Sequence, residues 1–238
     1  MTFPEQTLAD IVTADTRAAV VFDRMGLDYC CQGERTLADA ATELGLPLGD
    51  IVSQLEVLSP HDAGEPLEDW STLDALTRHI VTTHHAYVRE RAPQIVTWLN
   101  RLIERHGARH PELAEVGITF RRLADDMATH MLKEENILFP FIDALARAVR
   151  TERRLPPSPF GTILNPIRMM EADHQEAGGD LAHLRAITAG YTPPPDGCTT
   201  YRACYGELQR FEADLHRHVH LENHILFPRA IALEAELA

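Results

Sequence analysis

Two eleven-residue segments of this chain are near copies of one another, and few folds accommodate such a pair. Residues 130–140 read HMLKEENILFP and residues 218–228 read HVHLENHILFP, aligned without a gap at an offset of 88 residues (130 to 218). His130 matches His218, Glu134 matches Glu222, and both segments close on ILFP. A further histidine precedes each copy at almost the same distance. His85 lies 45 residues before His130, and His174 lies 44 residues before His218. Each half therefore reads as a helix bearing one histidine, followed by a helix bearing His-xxx-Glu.

The spacing has a mechanical meaning. Residues i and i+4 share one helical face, about 6 Å apart along the axis. An imidazole and a carboxylate there can reach one metal ion, or two ions bridged by the carboxylate. Packing the halves about a pseudo-two-fold axis brings four imidazoles and two carboxylates to the core. A single His-xxx-Glu is common on exposed helices, but burying these groups without a partner is costly. Repetition in register, against an apolar ILFP flank, therefore points to metal. His85, His130, Glu134, His174, His218 and Glu222 are the expected ligands. A nitrogen and oxygen set without thiolate disfavours zinc–sulfur and iron–sulfur ligation, and magnesium or calcium would prefer oxygen alone. Imidazole with bridging carboxylate suits iron, with manganese or zinc as substitutes.

The rest of the chain supplies a scaffold of the expected kind. Residues 1–58 read as a small helical domain: one helix from about Thr7 to Met25, ended by Gly26, then a loop carrying Cys30 and Cys31. A helix opens at a Thr36 N-cap, and another runs from Asp50 to Leu58. Residues 59–70, SPHDAGEPLEDW, read as a linker. Beyond it come four amphipathic stretches, roughly 71–106, 112–149, 160–189 and 199–236, separated by Gly and Pro. The fold class expected is all-α: an antiparallel four-helix bundle at 71–238 behind the small domain. A detached domain on a linker would also allow a homodimer.

Other histidines and acids compete for roles. His84 would point about 100° away from His85. His106 would sit about 30 Å along the axis, beyond reach. His216, His220 and His224 form an i, i+4, i+8 row on the face away from His218 and read as solvated, or at most as an adventitious metal site. Asp126 and Asp214 repeat at the same offset of 88, four residues before His130 and His218, where each could accept the outer imidazole N–H. Asp173 adjoins His174 and could line a polar route to the centre. The adjacent Cys30 and Cys31 could chelate a soft metal or form a vicinal disulfide, or simply pack in a turn. Cys198 and Cys204 read as structural.

The formal net charge of −14 argues against nucleic acid or an anionic membrane as partner. No run approaches the length of a membrane span. The N-terminal residues lack the basic and apolar regions of a signal peptide, and four cysteines make no secreted disulfide framework, so a cytoplasmic setting is expected.

These motifs resemble a known family. HHAYVRERAPQI, HMLKEENILFP, MEADHQEAGG and LENHILFPRA resemble the hemerythrin-like bundle. With GLDYCCQGERTLADA and YTPPPDGCTTY they make nearly the whole chain similar to the iron–sulfur cluster repair di-iron proteins, the repair of iron centres family. The resemblance implies the same six ligands around two non-haem iron ions, carboxylate-bridged, and oxo-bridged when oxidised. It implies a role for Cys30 and Cys31 in redox chemistry, docking or iron handling. One departure separates the chain from oxygen-carrying hemerythrins, which bear a second histidine four residues after the first on the third helix. Here that residue is Gly178. Fewer nitrogen ligands should leave the iron more open and labile. The function implied is donation of iron to iron–sulfur proteins damaged by nitric oxide or oxidants under stress. Reduction of nitric oxide to nitrous oxide, and sensing or carriage of nitric oxide or oxygen, are the alternatives, so enzymatic turnover stays undecided.

Overall fold

The computed structural model describes residues 2–58, 72–151 and 158–237. The segment read as a linker lies outside them. The N-terminal module holds α1 (Leu8–Ala14), α2 (Ala18–Met25), α3 (Leu37–Glu43) and α4 (Leu48–Glu56). The single helix expected from Thr7 to Met25 is broken in two. Asp15 takes an extended backbone, φ −147 and ψ 101, and its carboxylate holds the Arg17 amide at 3.0 Å and the Arg17 guanidinium at 2.6 and 2.8 Å. Thr7 and Thr36 cap α1 and α3, each hydroxyl accepting the amide N–H three residues on. Gly26, at φ +72, closes α2 in the left-handed conformation that glycine adopts without penalty.

The bundle follows in four long rods. α5 (Leu73–Ile80) passes through a π-helical turn, Val81–His85, into α6 (Ala86–His106). α7 (Glu112–Lys133) passes through Glu134–Leu138 into α8 (Phe139–Thr151). α9 (Leu164–Ile187) is uninterrupted, and α10 (Thr199–His220) passes through Leu221–Leu226 into α11 (Phe227–Leu237). The ILFP motif accounts for two of the turns. Pro140 and Pro228 have no N–H to donate and would crowd the carbonyl four residues back. The preceding residues reach one position further instead: Phe139 N–H bonds Glu134 O, and Phe227 N–H bonds Glu222 O. Each turn thus widens the helix beside a glutamate of the repeat, as π turns often do at functional sites.

Two apolar clusters fill the interior. One joins the N-terminal module to the near half of the bundle, with Leu8, Phe22, Leu27 and Tyr29 in one body with Phe120, Phe211, Leu215 and Val219. The other fills the far half with Leu76, Ile80, Ile142, Leu145, Ile167 and Leu226. The module is therefore not detached, as the sequence suggested, and the reason is apolar burial: each large side chain removed from water contributes about 1.5–3 kcal/mol. The row His216, His220 and His224 is likewise not solvated. His216 and His220 are buried, and Tyr29 packs edge-on against both rings. His216 bonds Asp23 at 3.0 Å, His220 meets Thr13 at 3.3 Å, and His224 donates to the Cys30 carbonyl at 2.8 Å.

Candidate metal centre

The six repeat residues meet between the two apolar clusters, each at most 1% exposed. They form two groups that share both glutamates: His85, Glu134, His218 and Glu222, and His130, Glu134, His174 and Glu222. Within each, the candidate ligand atoms lie within 4.8 Å of one another. The Nε2 atoms of His85 and His218 stand 3.2 Å apart, and those of His130 and His174 3.1 Å apart. Glu134 Oε2 lies 3.3 Å from His85 Nε2 and 3.2 Å from His130 Nε2, one oxygen between the two groups. Glu222 spans them with both oxygens, Oε1 3.1 Å from His218 and Oε2 3.1 Å from His174.

The donor set fits a metal pair. Both oxygens of Glu134 and one of Glu222 make no hydrogen bond although they are fully buried, a costly arrangement unless a cation meets them. Protons stand in for that charge. Burial opposes protonation of His130, but Glu134 and Glu222 outweigh it and hold its pKa up at about 9. Burial would raise Glu222, yet His218 and His174 hold it well below the usual carboxylate range. A metal entering here displaces protons.

Outer contacts orient the rings. His85 Nδ1 donates to Glu135 Oε1 at 2.6 Å, and Arg89 holds the same oxygen at 2.7 Å. His130 Nδ1 donates to Asp173 Oδ2 at 3.3 Å, which Lys133 holds at 2.9 Å. His174 Nδ1 donates to Asn223 Oδ1 at 2.8 Å. The roles read from sequence for Asp126 and Asp214 are not those observed. Asp126 is exposed, and Asp214 accepts from His84 at 3.0 Å instead of from His218. The acceptors come from neighbouring helices, since an imidazole that points its Nε2 into the core turns its Nδ1 away from its own preceding turn. Glu135 and Asn223 escaped the sequence reading, although they match each other at the same offset of 88. His84 is buried, its ring stacked on His218 at 5.6 Å and 6°. His106 lies at the far end of α6, packed against Tyr201.

The cysteine turn is docked directly behind His174. Asp28 Oδ1 accepts both the Cys30 and Cys31 amides, at 3.1 and 2.9 Å, and gathers the two sulfurs to 3.6 Å as free thiols. The Cys31 thiol donates to the His174 carbonyl at 3.3 Å, and Asn223 and His224 both reach the Cys30 carbonyl. A Cβ added at Gly178 would lie 3.0 Å from Cys31 Sγ. The space that a histidine side chain would occupy there holds this thiol instead. Cys204 is fully buried and Cys198 exposed.

A bundle with buried histidines and glutamates on paired, repeated helices defines a hemerythrin-like cation-binding protein. Residues 76–230 match the hemerythrin HHE cation binding domain, and residues 4–59 match a domain of unknown function (DUF542). The iron–sulfur cluster repair protein YtfE of Salmonella choleraesuis is 35% identical, covering 98% of this chain and 100% of that protein. The protein of the same name from Escherichia coli is also 35% identical, with the same coverage. The chain belongs to the iron–sulfur cluster repair family of hemerythrin-like proteins. No described helix is long and apolar enough to cross a membrane.

Proposed function

We propose that this chain is a non-haem di-iron protein that repairs iron–sulfur clusters damaged by nitrosative or oxidative stress, giving up iron as its cargo. The observation that carries the reading is the pair of buried His2Glu2 groups sharing both glutamates. His85 and His218 would hold one ion, His130 and His174 the other, with Glu134 and Glu222 bridging. Bound there, ferrous iron supplies an exchangeable metal and electrons at two adjacent positions. The chain's own groups do the rest. Glu135, Asp173 and Asn223 fix the ring orientations of His85, His130 and His174, and the two apolar clusters exclude bulk water from the belt.

No thiolate holds the centre, and its carboxylate and imidazole ligands can be reprotonated as metal leaves, which suits delivery better than permanent retention. A cavity of about 130 Å³ between α7 and α9, lined by Asp126, Lys133, Asp173 and Asp180, opens beside His130. The test uses an iron–sulfur enzyme inactivated by nitric oxide. Iron-loaded protein should restore its activity, and protein carrying both Glu134→Ala and Glu222→Ala should bind about two fewer ions per chain and restore none. If free ferrous iron restores activity where the loaded protein fails, the reading is wrong.

The adjacency of the two groups favours a second reading, reduction of nitric oxide. Two molecules, two electrons and two protons would give nitrous oxide and water. Nitrous oxide from a single turnover of the reduced, loaded protein would support it, and stable nitrosylated iron without product would count against it.

A further inference from the structure

Four ligand histidines occupy related places in the repeat, but what stands behind them differs. Glu135 backs His85, Asp173 backs His130 and Asn223 backs His174. His218 Nδ1 has no hydrogen-bond partner among the described residues, although the ring is fully buried. The difference traces to one position. In each half, the residue just before the upstream histidine faces the downstream histidine of the other half. In the second half that residue is Asp173, whose carboxylate accepts from His130. In the first it is His84, which offers His218 only a ring face and spends its own Nδ1 on Asp214.

An acceptor behind a ligand imidazole fixes its tautomer, orients the ring and raises its basicity, and losing one typically weakens metal binding 10–100-fold. We propose that the two iron positions are unequal: the one formed by His85 and His218 holds its ion more weakly and releases it first, and His84 is the positioning residue that makes it so. This rests on the di-iron reading above. On that basis repair delivers one ion readily per chain, while the His130 and His174 position retains the other.

The experiment loads the full chain anaerobically with two ferrous ions and mixes it with an excess of a ferrous chelator, following release by absorbance. Two phases of equal amplitude, at least tenfold apart in rate, are expected. His84→Asp places a carboxylate where Asp173 stands in the other half, and should slow the fast phase about 10–100-fold. Asp173→Ala removes the acceptor from His130 and should speed the slow phase toward the fast one, leaving the fast phase as it was. Helical circular dichroism verifies that each variant is folded, and the Asp173 variant decides the matter if the other does not fold. Two ions leaving the wild type at one rate would overturn the inequality while leaving the di-iron reading intact. A speeding of the fast phase by Asp173→Ala would overturn the assignment of positions. A wild type that never holds two ions would overturn the di-iron reading itself, and this inference with it.

Discussion

Arg185 on α9 ties the bundle to the N-terminal module, and its removal has a calculable effect. Its guanidinium holds both oxygens of Glu212, at 3.1 and 2.5 Å, and donates to the Asp23 carbonyl of α2 at 2.9 Å. Glu212 is 2% exposed, so Arg185→Met leaves a buried carboxylate without its partner. Breaking a buried pair from one side costs about 3–5 kcal/mol, and because the Arg185 side chain is 24% exposed, water can reach the carboxylate and the lower figure of about 3 kcal/mol applies. With a urea dependence of about 3 kcal/mol per molar for a chain of this size, the midpoint should fall by about 1 M. The double change Arg185→Met with Glu212→Met should recover to within about 1 kcal/mol of the parent, since apolar replacements of a buried pair are often neutral. The assay is equilibrium urea unfolding of the metal-free protein, followed by far-ultraviolet circular dichroism. A single-variant loss below about 1 kcal/mol, or a double variant as unstable as the single, would refute the reasoning.

Glu135→Ala removes the acceptor from His85 and should weaken metal binding about 10–100-fold in chelator competition, with no change in helicity. Cys198 is exposed, whereas burial pushes the Cys204 thiol up to about 12 and the Cys30 thiol also well up. An aromatic disulfide should therefore label Cys198 first in the native protein, Cys198→Ser should abolish that phase, and Cys30 and Cys204 should react only on unfolding. Arg150 beside Asp74 pulls its carboxyl down to about 2. A depressed pKa means stability present above the unfolded value near 4 and lost as pH falls through about 2. Screening at the half-exposed Arg150 keeps the contribution small. Thermal melts of wild type and Asp74→Asn should differ at pH 5 and converge toward pH 2; a constant gap would refute the assignment.

The six residues that meet between the clusters are legible in sequence because two independent periodicities converge on them, the i, i+4 spacing of His-xxx-Glu and the repeat in register. The four rods were legible because Gly and Pro fall between them. What escaped depends on contacts between elements. His216, His220 and His224 read as a solvated face when the bundle is considered alone, and only the docked module, with Tyr29, Asp23 and Thr13, makes them interior. Asp214 was given to His218 by helical spacing, but Nδ1 of an inward-facing ring looks toward a neighbouring rod, where position in sequence gives no guide. Glu135 could have been found: it sits in the repeat opposite Asn223, and both follow the shared glutamate. The split at Asp15 hid behind an apolar pattern that runs through it.

The polar belt lies between two apolar cores that share no buried side chain. On the proposed di-iron reading, a loaded belt would act as a rivet: ions that bind helices from both halves would make the two ends open together. Emptied, it is a seam of charged and unsatisfied groups that neither core can close over. The far end, held by its own smaller cluster and a few polar ties such as Arg150–Asp74, should then open by itself. Amide hydrogens of α8 and α11 should exchange sooner than those of α6 and α7 once iron is removed, and equal exchange would refute this. If the centre does deliver iron as proposed, an emptied molecule would differ from a loaded one in how readily one end comes apart, a difference that a protease could read.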